Sequence, residues 1–165
     1  MRRWWRSRLE VTEDEHMDYK LEVAVLPVSD VDRSVVFYTE NVGFTLDVDY
    51  GPSDGFRVVQ LTPPGSACSV QIGIGLTDLA PGTVRGTCLV VNDVEAARRE
   101  LVERGVLVGR IRHKTPIDSW QGEYADGVDP ARRDYASFAD FADPDGNTWV
   151  LQERGFAVAE PSAAG

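Results

Sequence analysis

Histidine is scarce in this sequence. Only His16 and His113 are present. Neither sits in a predicted strand, so a metal triad of two histidines and a carboxylate cannot be built from strand positions. Cysteine is equally rare: Cys68 and Cys88 stand alone with no Cys-x-x-Cys pair, which excludes a disulfide framework. No run of ~18 apolar residues exists, so nothing in the chain reads as a membrane span. Positive charge is also in short supply. The formal net charge is −10 and the pI about 4.6, which argues against nucleic acid or an anionic membrane as partner. Arg2, Arg3, Arg6 and Arg8 make the beginning basic, but no apolar segment follows them, as a signal peptide requires. A cytoplasmic protein with reduced thiols is the expectation.

What remains is a chain of ordinary globular composition, 42% hydrophobic and 27% charged over 165 residues. That suits one domain, or two small modules sharing a core. Residues 1–17 carry no periodicity that would bury a face and read as a flexible arm. Residues 156–165, rich in Ala, Pro and Ser, read as a flexible tail.

Between these ends one grammar occurs twice. Leu21 to Val28 is an apolar strand, Asp30 an N-cap, and Val31, Ser34, Val35 and Tyr38 recur at helical spacing up to Gly43. A glycine there tolerates the positive φ that closes a helix. Strands are predicted at 44–50, 56–61 and 68–74, broken by Gly51-Pro52-Ser53-Asp54-Gly55 and Pro63-Pro64-Gly65. The pattern restarts after a connector: a strand over 85–91, the cap Asp93, a helix ending at Gly105, and a strand over 106–112. Residues 113–135 are polar and contain Pro and Gly, and they read as a long loop. Strands at 137–141 and 148–153 flank the turn Asp143-Pro144-Asp145-Gly146-Asn147. The fold class is α+β: two βαβββ modules, over 21–76 and 84–155, in one domain spanning 18–155.

This combination resembles the vicinal oxygen chelate superfamily, which includes glyoxalase I, extradiol dioxygenases and bleomycin-resistance proteins. The residues that carry the resemblance are Val28-Ser29-Asp30, Phe37-Tyr38, Gly43-Phe44 and the Asp143–Asn147 turn. It covers about residues 20–155 and concerns scaffold, not activity. It implies a curved sheet around a cleft, and for many relatives a homodimer. It also implies where a metal would be held. Counting from Asp30, Asp93 and Asn147 places those positions at Val23, Gly86 and Val150, with Ser69 as the fourth. Three of these have no donor side chain and serine is a poor ligand, so no metal and no cofactor are expected.

The cleft implied by the resemblance is apolar with a few polar handles, suited to an uncharged or aromatic ligand. Gln71 and Gln152 can each donate and accept. Cys88 is a strand thiol with no evident base beside it. Arg57 could recognise an anionic group. In the 113–135 loop, Trp120 and Tyr124 could close over a planar ligand, and His113 with Asp118 or Glu123 could form an acid/base pair. The leading expectation is a metal-independent small-molecule binder. The rivals are an enzyme of the same superfamily, a lyase, isomerase or dioxygenase relative using loop residues or an atypical metal site, and an interaction protein whose Trp4-Trp5 arm docks a partner.

Overall fold

Asp30 and Asp93 each open a helix by the same local device. Both backbones are extended at the cap, and the carboxylates accept from Arg33 N at 3.0 Å and Ala96 N at 2.9 Å. Each bond satisfies an amide that the first turn would otherwise leave free. Both helices end on a glycine at φ 88°, Gly43 and Gly105, a region costly for a residue with a Cβ.

The computed structural model describes residues 17–118 and 122–157. In chain order the elements are β1 (Val23–Val25), α1 (Val31–Val36), β2 (Thr45–Ser53), β3 (Phe56–Thr62), β4 (Ser69–Ile74), β5 (Thr87–Val91), α2 (Val94–Glu103), β6 (Arg112–Thr115), β7 (Glu123–Asp126), β8 (Ser137–Ala142) and β9 (Thr148–Glu153). After α1 the chain continues as a π-helical stretch, Phe37–Val42. One more residue separates Asp30 from Gly43 than Asp93 from Gly105, and widening the last turns to π geometry absorbs it. No helix among the described residues is long and apolar enough to cross a membrane.

The strands form two sheets, ordered β1-β4-β3-β2 and β5-β9-β8-β6-β7. β1 is parallel to β4 and β5 is parallel to β9, with antiparallel pairing elsewhere. The two orders correspond strand for strand except for β7, an additional edge strand. This corrects the expectation for 106–135. Of the predicted 106–112 strand, Val108 makes an isolated bridge to Phe141 of β8 and only Arg112 belongs to a paired strand, as the first residue of β6. The supposed loop instead folds back as the β6–β7 hairpin. Its strands carry charged residues on an exposed sheet edge, so they show none of the apolar alternation that marks a half-buried strand.

Each sheet buries one face beneath its helix, and the two buried faces merge into one core. Trp149 stands at the junction. Its ring stacks on Phe141 at 6.0 Å and meets Tyr38 and Phe44 edge-on at 5.8 and 5.7 Å. Each buried aromatic contributes roughly 1.5–3 kcal/mol of transfer free energy. Hydrogen bonds reinforce the seam. Asn147 Nδ2 donates to Pro27 O at 2.9 Å and to Asp143 Oδ2 at 2.8 Å, while Asn147 Oδ1 accepts from Val84 N at 3.1 Å. Ser29 and Arg33 both donate to Asp145. The motifs Val28-Ser29-Asp30, Phe37-Tyr38 and Asp143–Asn147 therefore form one joint between the modules. Gly82, in the connector, has φ +74°, and a Cβ there would lie 1.9 Å from Asp145 O.

Candidate functional site

The faces turned away from the helices are the open ones. Strand alternation decides which side chains they carry. On the first sheet, Val23 and Val25 of β1 stand beside Ser69 and Gln71 of β4, and Gln71 is opposite Gln60 of β3. A polar track crosses this face. Asp47 accepts from Thr62, Thr62 and Ser69 hydroxyls are 2.6 Å apart, Gln60 Nε2 donates to Ser69 Oγ at 3.4 Å, and Gln71 Nε2 donates to Gln60 Oε1 at 3.2 Å.

On the second sheet a row runs across all five strands. Cys88 of β5 donates to Gln152 Oε1 of β9 at 3.4 Å, and Gln152 Nε2 donates to Tyr135 O at 3.2 Å. Gln152 is opposite Phe138 of β8, which is opposite Arg112 of β6. Tyr124 of β7 meets Phe138 edge-on at 6.0 Å. The Arg112 guanidinium lies 5.0 Å from the Tyr124 ring centroid and 5.7 Å from that of Phe138, and pairs with Asp140. Burial of the Cys88 thiol pushes its pKa up, since desolvation disfavours thiolate.

The positions that the resemblance assigned to metal ligands lie on these open faces or at their margin. Val23 is the register partner of Ser69, Val150 is the partner of Cys88, and Gly86 N donates to Thr148 Oγ1 at 2.8 Å. These residues do not fit a divalent cation. Valine and glycine side chains offer no donor atom, and the Ser69 hydroxyl is already engaged by Thr62 and Gln60. No three His, Cys, Asp or Glu side chains are grouped as a metal site would need, among the described residues.

The structure brings together Cys88, Gln152 and Tyr124 on one sheet and places Gln71 on the other. Arg57 is elsewhere. It shares the buried-side parity of Val59 and Leu61, and its guanidinium bonds to Asp49 at 2.8 and 2.9 Å and to Asp32 of α1 at 2.7 Å. It fastens β2 and α1 to the sheet and does not reach the open face. His113 alternates away from Arg112, with Nδ1 3.0 Å from Gly127 O. Among the described residues no bond joins it to Asp118 or Glu123, so the imagined acid/base pair is not assembled. Trp120, like the Trp4-Trp5 arm, lies outside the described residues.

Sequence reading missed Arg112, Phe138, Asp140 and Gln60. Phe138 and Asp140 share the alternation of an identified strand and could have been found by parity. Arg112 could not, because its pairing depends on the hairpin. A cavity of about 440 Å³ also lies between the modules, where the Pro63–Ser66 turn approaches β5 and α2. Its walls include the core-side residues Leu89, Leu101 and Leu151, so it belongs to the module seam; Cys88 touches its rim.

Known structures share this architecture. TnmS3, an antibiotic binding protein from Streptomyces sp. CB03234, is 31% identical with a TM-score of 0.63; the match covers 84% of this chain and 98% of that one. A glyoxalase/bleomycin resistance protein from the same organism is 30% identical, TM-score 0.60, covering 81% and 100%. A superfamily member from Sphaerobacter thermophilus DSM 20745 is 26% identical, TM-score 0.64, covering 84% and 100%. No curated protein matches. The family model for the Glyoxalase/Bleomycin resistance protein/Dioxygenase superfamily matches residues 20–151, and the chain belongs to that superfamily.

Proposed function

We propose that this protein is a metal-independent small-molecule binder of the glyoxalase/bleomycin-resistance type, holding an apolar or aromatic ligand against its open sheet faces. One observation carries the reading. The open-face positions at which superfamily enzymes hold a cation are Val23, Ser69 and Val150, with Gly86 at the margin. The surrounding side chains are aromatic and amide, chemistry that grips a ligand by stacking and a few hydrogen bonds. Similarity to TnmS3, itself described as an antibiotic binding protein, supports the same reading.

A homodimer is part of the proposal. The first sheet leaves the nine-residue β2 at its edge, exposed along its whole length. An uncovered edge of that kind invites another chain, and a second copy would roof a face that one chain leaves open. The dimer is expected to be cytoplasmic, with no nucleic acid or membrane as partner.

The test is calorimetric titration of planar, hydrophobic antibiotics and metabolites into protein dialysed against chelator, alongside elemental analysis of protein purified without chelator. Saturable binding that is unchanged by chelator is expected. Stoichiometric bound metal, or no saturable binding across the screen, would overturn the proposal.

A further inference from the structure

The two sides of the joint between the modules are filled unequally. On one side the β8–β9 turn, Asp143–Asn147, bonds to Pro27, Ser29, Arg33 and Tyr38. Trp149, two residues beyond it, packs on Tyr38 and Phe44. The β3–β4 turn, Pro63–Ser66, is the counterpart in the first module. Two of its residues are prolines with no N–H to donate. The Ser66 hydroxyl is engaged within its own turn, by Cys68 O at 2.7 Å and Cys68 N at 3.1 Å. Among the described residues, no hydrogen bond of this turn reaches β5 or α2. Beyond it come Ala67, Cys68, Ser69 and Val70, with no aromatic. The helices differ in the same sense: the eighth residue after the cap is Tyr38 in one and Leu101 in the other.

The cavity of about 440 Å³ lies on the less filled side, and its size is that of a small-molecule site. Its inner wall includes Phe44, Leu101 and Leu151, all buried, so it reaches the core. Val90 and Glu100, both exposed, stand where it meets solvent. Glu100 is the one charged residue of the wall among the described residues, and Arg104 Nη2 holds its carboxylate at 2.7 Å. Four consecutive residues of β5, Cys88 to Val91, line the cavity. Alternate side chains of a strand point to opposite faces, so contact with all four places the cavity along the edge of β5. That edge has no strand beside it, since β5 pairs with β9 alone. A free strand edge presents N–H and C=O groups able to bond a ligand.

We infer that this seam cavity is a second binding site, separate from the open sheet faces, for an uncharged flat molecule of one or two fused rings with a hydrogen-bonding edge. The apolar body lies against Phe44, Leu101 and Leu151, as the Trp149 indole lies against Tyr38 and Phe44 on the other side of the joint. The polar edge bonds to the backbone edge of β5. An anionic ligand is disfavoured, because the wall offers it no cation, Glu100 repels it, and burying an unpaired charge is costly.

The test titrates indole and indole-3-acetate into the full-length protein, by calorimetry and by NMR of Leu and Val methyl groups. Indole is expected to bind saturably and to shift the methyls of Leu89, Leu101 and Leu151, leaving those of Val23 and Val25 on the first sheet's open face in place. Indole-3-acetate should bind about ten-fold more weakly or less. Ala97→Phe, which fills the cavity from α2, should weaken indole by about ten-fold or more. The methyl map needs no substitution, so it decides the site even where Ala97→Phe costs the fold. No saturable indole binding, shifts confined to the open faces, tighter binding of the acid, or indole binding unchanged in a folded Ala97→Phe variant would each overturn this inference. None of these outcomes touches the open-face reading, which the antibiotic and metabolite screen judges separately.

Discussion

The phenolic hydroxyl of Tyr38 donates to Asp143 Oδ2 at 2.8 Å, joining the first module's helix to the second module's turn. Trp149 Nε1 donates to the same hydroxyl at 3.1 Å. Asp143 also accepts from the backbone amides of Asp145 and Asn147. Burial, and after it the negative charge of Asp143, drives the Tyr38 pKa far above the ordinary tyrosine value.

Tyr38→Phe removes the donor to a buried carboxylate and the acceptor of a buried indole. It should cost about 1–3 kcal/mol, the range for leaving a buried polar group unpaired, read from urea denaturation. The raised pKa adds a pH signature. Stability linked to Tyr38 is intact below about pH 10, where an unfolded tyrosine titrates, and is withdrawn as the pH rises toward the folded value. The Phe variant should therefore show a flatter loss of stability between pH 10 and 11 than the parent.

Glu153 is 1% exposed at its side chain and accepts from Arg132 Nη2 at 2.7 Å, Arg132 Nε at 2.9 Å and Val94 N at 3.0 Å. It ties the 127–136 segment to the start of α2, and Arg132 holds φ 49° to reach it. Arg132→Ala should cost about 3–5 kcal/mol by stranding a buried charge. Adding Glu153→Gln should recover part of that loss, because the stranded charge disappears. A double-mutant cycle by chemical denaturation measures the coupling; additive losses would contradict it.

Local chemistry was readable from the chain, and geometry between strands was not. Asp30, Asp93, Gly43, Gly105 and the Asp143–Asn147 turn announce themselves because caps and turns are decided by neighbours in sequence. Counting from the cap Asp30 and the turn residue Asn147 located Val23 and Val150 on the open face, since a strand's period of two carries a count reliably over a few residues. Arg57 was ambiguous because one charged residue on a strand end reads the same on either face. The β6–β7 hairpin was unreadable: Arg112, His113 and Lys114 on an edge have no buried side to create a pattern. With it went the Arg112–Tyr124–Phe138 group, whose members come together only through pairing across long gaps. The joint between modules was visible as two separate motifs, but nothing in the chain says that Tyr38 and Asp143 meet.

Asp129 is fully buried, and the side chain and backbone of Arg133 hold its carboxyl well below the usual range. A depressed folded pKa means that the stabilisation is present above the unfolded value near 4 and is lost as the pH falls toward the folded one. Asp129→Asn should lower Tm at pH 7, and the gap to the parent should narrow as the pH drops below about 4. Thermal melts across this range check it; a gap independent of pH would assign the loss to packing alone.

Cys88 reports on the open face directly. The residue is exposed, yet partial desolvation of its thiol raises the pKa, so little thiolate exists at neutral pH. In a Cys68→Ser background, a disulfide reagent should label Cys88 more slowly than a free cysteine at pH 7.5. The rate should still be rising at a pH where a free cysteine, with its ordinary value near 8.5, has levelled off. Because the thiol donates to Gln152, next in the row to Phe138, an aromatic ligand lying on this face should slow labelling further. Stopped-flow labelling with and without an aromatic ligand found in the titration screen measures the protection. Absence of protection would place the ligand away from Cys88.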